Sequence, residues 1–144
     1  MRDTFSCTKL AVLIPAAAYN ADTTPAAVDI RGFRSALISL AVGVGGITFD
    51  ATNKIEFKLT HSDDGVTFTA VTADDVLLPA GSSVGSGGIV YQLVAAHAAA
   101  DANKIGYIGN KNHLKLQADF SGTHGTATPF AATVDLSDAL YAPV

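Results

Sequence analysis

At 144 residues the chain is long enough for one domain with a real core and too short for two of ordinary size. A formal charge of −4, with nine Lys and Arg residues scattered and never gathered into a basic stripe, speaks against nucleic acid as a partner. Only 15% of residues are charged and 25 are alanine, a composition suited to a surface that neighbours cover.

From the N-terminus, Cys7 is the single cysteine, so no internal disulfide can form, and it reads as an idle thiol. Residues 10–18 (LAVLIPAAA) have the order of a secretory signal. The apolar run is short, Pro15 breaks it and Asp3 precedes it, so a strand or docking arm is the better reading. No run approaches the ~20 apolar residues that cross a bilayer, and the expectation is a soluble chain. Residues 1–26, with Pro15 and Pro25, are expected as an extended arm, and residues 27–144 as a single sandwich domain. Arms of this kind lie across a neighbouring subunit or form a first edge strand.

Residues 35–42 (SALISLAV) are apolar on both faces and predict a central strand sandwiched between layers. Residues 54–71 read as a β-hairpin. Ile55, Phe57 and Leu59 alternate with Glu56, Lys58 and Thr60, Ser62-Asp63-Asp64-Gly65 supplies the turn, and Val66 to Val71 resumes the strand. The loop from Gly81 to Gly88 is glycine-rich and expected to move unless a partner pins it. Strands follow at 89–94 and 104–108, with a helical turn or loop over the alanine run 95–102 between them. Leu114, Leu116, Ala118 and Phe120 alternate with His113, Lys115, Gln117 and Asp119, and Phe130, Ala132, Val134 and Leu136 mark a last strand. Together these predict an all-β, antiparallel β-sandwich of seven to eight strands with an extended N-terminal arm. Alternation does not encode strand order, so jelly-roll-like and immunoglobulin-like arrangements both remain open.

Candidate chemistry is sparse. The four histidines fall at spacings that enforce no convergence. His113 and Asp119, six residues apart on one strand, lie roughly 20 Å from each other. Asp63-Asp64-Gly65 lacks the alternating ligands and distal Glu of a calcium loop and is explained by turn chemistry. Glu56, the single glutamate, sits beside Lys58 as one half of an ion pair would. No nucleophile elbow or phosphate loop is present. The reading is of a non-enzymatic chain, with no catalytic residue, cofactor, metal or small-molecule substrate expected.

Three segments carry a resemblance: Ile30-Arg31-Gly32-Phe33-Arg34-Ser35-Ala36-Leu37-Ile38, the hairpin from Ile55 through Ser62-Asp63-Asp64-Gly65 to Val71, and Lys104-Ile105-Gly106-Tyr107-Ile108-Gly109-Asn110-Lys111 running into His113-Leu114-Lys115-Leu116. Their order resembles small virion proteins of tailed bacteriophages and prophages. In those, a G-(aromatic)-x-S-A-L strand precedes an ES-D-D-G-x-T-(aromatic) hairpin and a GYIG-x-K-(aromatic/His)-L segment. The resemblance spans residues 30–116, about 60% of the chain. This sequence departs from it at Thr60-His61-Ser62, where a Glu/Gln-Ser pair is usual, and in its long glycine loop. The resemblance implies a capsid decoration (cement) protein on the virion surface, made in the bacterial cytoplasm. Its implied partners are the major capsid protein and copies of itself, without nucleic acid or membrane. The expected contact residues are Leu10, Val12, Ile14 and Pro15 of the arm, Ser83 and Val84 of the glycine loop, and Tyr141 and Pro143 of the tail. Two alternatives stand beside it: a neck or tail (head–tail joining) component, and a carbohydrate-binding or adhesin-like sandwich. The second is disfavoured by the lack of Trp, with Tyr91 and Tyr107 placed in strands.

Overall fold

The computed structural model describes residues 4–141. A 3-10 turn at Phe5–Cys7 leads into ten strands: β1 (Lys9–Tyr19), β2 (Val28–Asp29), β3 (Phe33–Val42), β4 (Lys54–Ser62), β5 (Thr69–Ala70), β6 (Val76–Leu77), β7 (Ile89–Leu93), β8 (Asp101–Tyr107), β9 (His113–Ser121) and β10 (Thr128–Ala139). Three of these (β2, β5 and β6) are two residues long, leaving seven substantial strands, in keeping with the seven to eight expected. Two antiparallel sheets result. One runs β1-β10-β3-β8-β6; the other runs β2-β9-β4, with β5 and β7 sharing the far side of β4.

The pairing is nested: β1 with β10, β2 with β9, β3 with β8, β4 with β7. The chain is one long hairpin, with β5 and β6 near its tip, rolled so that successive pairs fall in alternate sheets. That is the jelly-roll form of the sandwich, which resolves the choice that alternation left open.

Period two builds the core. Ile55, Phe57 and Leu59 of β4 and Leu114, Leu116 and Ala118 of β9 face Ile38, Leu40 and Val42 of β3 and Phe130, Val134 and Leu136 of β10, all buried. Phe57 sits centrally, its ring edge-on to Phe130 at 5.2 Å and tilted against Tyr91 at 5.8 Å. Burial of each large side chain contributes about 1.5–3 kcal/mol on area alone.

Four expectations are refined. The segment expected as an arm is extended, and over Lys9–Tyr19 it takes the edge-strand form, paired with β10 and delivering Leu13 and Ile14 to the core. The chain after it crosses to the other sheet, where Thr23 and Ala118 exchange hydrogen bonds and the Asp22 carboxylate accepts from the Phe120 amide. The hairpin after β4 has only β5 as its second limb, because Asp64 Oδ1 accepts from the Val66 and Thr67 amides and holds 63–68 as a wide loop. The neighbour of β4 along Ile55–Lys58 is instead β7. The glycine loop is pinned by its own chain, since Gly85 bridges Ile89, the Gly88 carbonyl accepts from Leu59, and Val84 packs on the core. Finally, β3 alternates cleanly: Ala36, Ile38, Leu40 and Val42 are buried, while Ser35, Leu37, Ser39 and Ala41 are exposed. Among the described residues no second layer covers its outer side.

Candidate interaction surface

The two outer faces of the sandwich differ in chemistry. On the β9/β4 face the polar residues pair among themselves. Lys54 and Lys58 hold Glu56, Lys58 also holds Asp119, and the Lys115 ammonium lies 3.9 Å from the Phe68 ring centroid. The hydrogen bond to Asp119 is the main reason the Lys58 pKa is raised. The charged residues of β4 and β9 on this face are thus paired within the chain.

The outer face of the β1-β10-β3-β8-β6 sheet is different. Registers align its residues in rows across the strands: Leu10–Asp135–Leu37–Gly106–Leu77, then Val12–Thr133–Ser39–Lys104, then Ala131–Ala41–Ala102, with Ser137–Ser35 at the opposite margin. Asp135 and Lys104 are the only charged residues in these rows. Leu10 is 71% exposed, Val12 57% and Leu37 39%. A shallow apolar hollow of about 300 Å3, lined by Ala16, Ala17, Ala41, Pro129 and Ala131 among others, continues the surface.

Of the expected contact residues, Leu10 and Val12 lie on this face, and Pro15 is exposed in β1 beside it. Ile14 does not join them. A register shift between Val12 and Ile14 turns its side chain inward, where it is 1% exposed. Val84 is half-buried against the core, whereas Ser83 next to it is exposed. Tyr141 is exposed, and Pro143 lies outside the described residues. Tyr91 is half-buried, its ring tilted against Phe57, and Tyr107 is buried. The sequence reading missed Leu37, Ser39 and Ala41 as surface, because it placed 35–42 between layers; Thr133 and Asp135 fall on the side opposite Phe130 and Val134, as alternation expects.

The three segments of the resemblance meet at one end of the sandwich. A cleft of about 690 Å3 opens between residues 30–36 and 107–112, closed by Leu140. Beside it the Tyr107 hydroxyl accepts from the Lys111 amide (3.1 Å) and shares a hydrogen bond with His61 Nδ1 (3.0 Å). The Lys111 ammonium meets Asp63 at 2.6 Å, and the Asn112 amide donates to the Ser62 carbonyl. A Cβ on Gly109 would sit 2.6 Å from the Tyr107 oxygen, so glycine is required there by contact alone. This end is a lock between strands, in which His61, Asp63, Tyr107, Lys111 and Asn112 bond to one another or to backbone. Among the described residues no group of three or more His, Cys, Asp or Glu comes together as a metal site, and no helix is long and apolar enough to cross a membrane.

Five aspartates in turns and at strand ends respond to acid. Asp29 is lowered to about 2, chiefly by hydrogen bonds from the Arg31 side chain. Asp50, Asp64, Asp75 and Asp101 are lowered mainly by the Asn53, Val66 and Thr72 amides and the Tyr91 hydroxyl respectively. Each folded-state pKa lies below the unfolded value near 4, so as pH falls the unfolded chain binds protons first. Their contribution is therefore complete above about pH 5 and lost progressively toward pH 2. We expect the urea midpoint to be flat from pH 7 to 5 and to fall steeply below about pH 4, with Asp64→Asn flattening the fall. A midpoint unchanged down to pH 2.5 would contradict these bonds.

No family model matches this chain, and no curated protein does. Among solved structures it is distantly similar to the SPBc2 prophage-derived protein YomS, with 12% identity over 88% of this chain and 92% of that one and a TM-score of 0.43. A chain of infectious bursal disease virus, Gx strain, is similar at 14% identity over 90% of this chain and 40% of that one, with a TM-score of 0.28. Neither likeness is close enough to bear on function.

Proposed function

We propose that this chain is a non-enzymatic structural protein of a tailed-phage particle, a decoration (cement) protein bound across major capsid subunits on the head surface. The observation that carries a structural role is the contrast between the two faces. One sheet completes its own ion pairs, and the other leaves an open surface of Leu, Val, Ala, Ser and Thr with one acid and one base. A smooth, weakly charged sheet face suits a component that functions covered by neighbours. The head assignment follows from the resemblance over residues 30–116. In that reading the lock at the sandwich end supplies the rigidity that a lattice component needs.

The test is quantitative mass spectrometry of purified particles from the producing host, ratioed to the major capsid protein. Lattice-wide cement predicts a ratio between about one-third and one, set by the symmetry of the shell. A copy number of order ten per particle, as in a closed ring, would move the chain to the neck or tail. Absence from particles would discard the virion reading.

A further inference from the structure

We infer that the open sheet face is covered by a second copy of this chain, in a two-fold, face-to-face dimer centred on β3 and fixed by reciprocal Asp135–Lys104 ion pairs. This names a partner for the face described above, and it stands apart from the head assignment because it is tested on purified protein.

Charge is the first argument. Asp135 lies in register between Leu10 and Leu37, and its Oδ1 is buried with no hydrogen-bond partner among the described residues. The residue as a whole is only half-buried and its carboxylate is in no ion pair among the described residues, so its charge is open to a cation from a second copy. Lys104 is the one cation in the same rows. It is exposed and in no ion pair among the described residues. From the register, Asp135 and Lys104 sit two strands and one row apart, roughly 12 Å between Cα atoms. Their midpoint falls on β3 between Leu37 and Ser39. A two-fold axis lying in the interface at that midpoint exchanges the two positions. Asp135 of each copy then meets Lys104 of the other, and the two Leu37 side chains close around the axis. An isologous interface requires this self-complementarity.

Size and shape are the second argument. Four strands at ~4.8 Å spacing and about seven residues of length, with the two residues of β6, give roughly 500 Å2 per copy, or about 1,000 Å2 in all, the size of a small, reversible interface. Alanine, serine, threonine and glycine in the rows let two sheets approach closely. The edge is the less suitable route, since Pro15 lacks an amide proton and register shifts flank Ile14, both of which blunt strand-to-strand pairing along β1.

The experiment is sedimentation equilibrium of the purified chain from low to high micromolar concentration, with thermal midpoints confirming that each variant is folded. The wild type is expected to dimerise. Asp135→Lys and Lys104→Asp should each weaken dimerisation by at least about tenfold, because each sets like charges opposite one another. The double variant carrying both exchanges should recover affinity to within about threefold. A wild type that stays monomeric throughout overturns the proposal. So does a dimer indifferent to both single exchanges, which would point to edge pairing, and so does failure of the double exchange to restore it.

Discussion

Phe57→Ala should destabilise the fold by about 3–5 kcal/mol and lower the melting temperature by roughly 10–20 °C. Phe57 is fully buried between the sheets, with Phe130 and Tyr91 against its ring. Those neighbours belong to two different strands, β10 and β7, in opposite sheets and held by backbone ladders, so the surroundings cannot collapse to fill the space, and the cavity term adds to the lost transfer energy. Phe68→Ala is the control. Its ring lies in the loop of 63–68 and touches Lys115 as a cation–π partner, so about 1 kcal/mol is expected. Urea unfolding of both variants checks the contrast, and a loss below about 1 kcal/mol at Phe57 would contradict a packed core there.

Gly88→Ala should cost about 2–4 kcal/mol although it adds a single methyl group. Gly88 has φ +81°, and a Cβ there would stand 2.5 Å from the Leu59 carbonyl oxygen and 3.2 Å from the Val71 amide. Both contacts are backbone, one of them from the strand that carries Phe57. Relief therefore requires β4 to shift or the Gly88–Leu59 hydrogen bond to break. Gly81→Ala separates strain from clash. Gly81 also has a positive φ, +86°, but nothing lies within 4 Å of its Cβ position, so only the left-handed penalty of about 1–2 kcal/mol applies. Equal losses at the two sites would mean that the loop end is not held against β4.

What the sequence made legible follows from the period of the side chains. Ile55, Phe57 and Leu59, then Leu114, Leu116 and Ala118, then Phe130 to Leu136, are placed correctly because each strand has one wet face and one dry face. Where the expectation and the structure part, a local event interrupts that period. Strict alternation groups Ile14 with Leu10 and Val12, but the irregularity after Val12 resets the count and sends Ile14 inside. Val66 and Phe68 have strand propensity, yet Asp64 takes the amides that a strand would need and the loop wins. Residues 35–42 read as buried on both sides because their outward positions are Leu37 and Ala41 as well as serines. The chain alone covers one side, and the other is the surface assigned here to a second copy. Strand order was not legible at all, since pairs such as Lys9 with Leu136 depend on contacts between distant parts of the chain.

The nested pairing also sets an order of events in time. Ile55 with Leu93, Ala36 with Tyr107, Val28 with Leu114 and Lys9 with Leu136 join residues progressively further apart along the chain. Each inner closure shortens the free segment that the next must bring together, so the loss of chain entropy is taken in steps from the tip outward. Zipping in this direction leaves β1 as the last strand to dock and the first to fray. Its amide protons on the β10 side should then exchange with solvent sooner than those of β4 and β9. In transient openings the chain would lose an edge of one sheet while its centre stays folded.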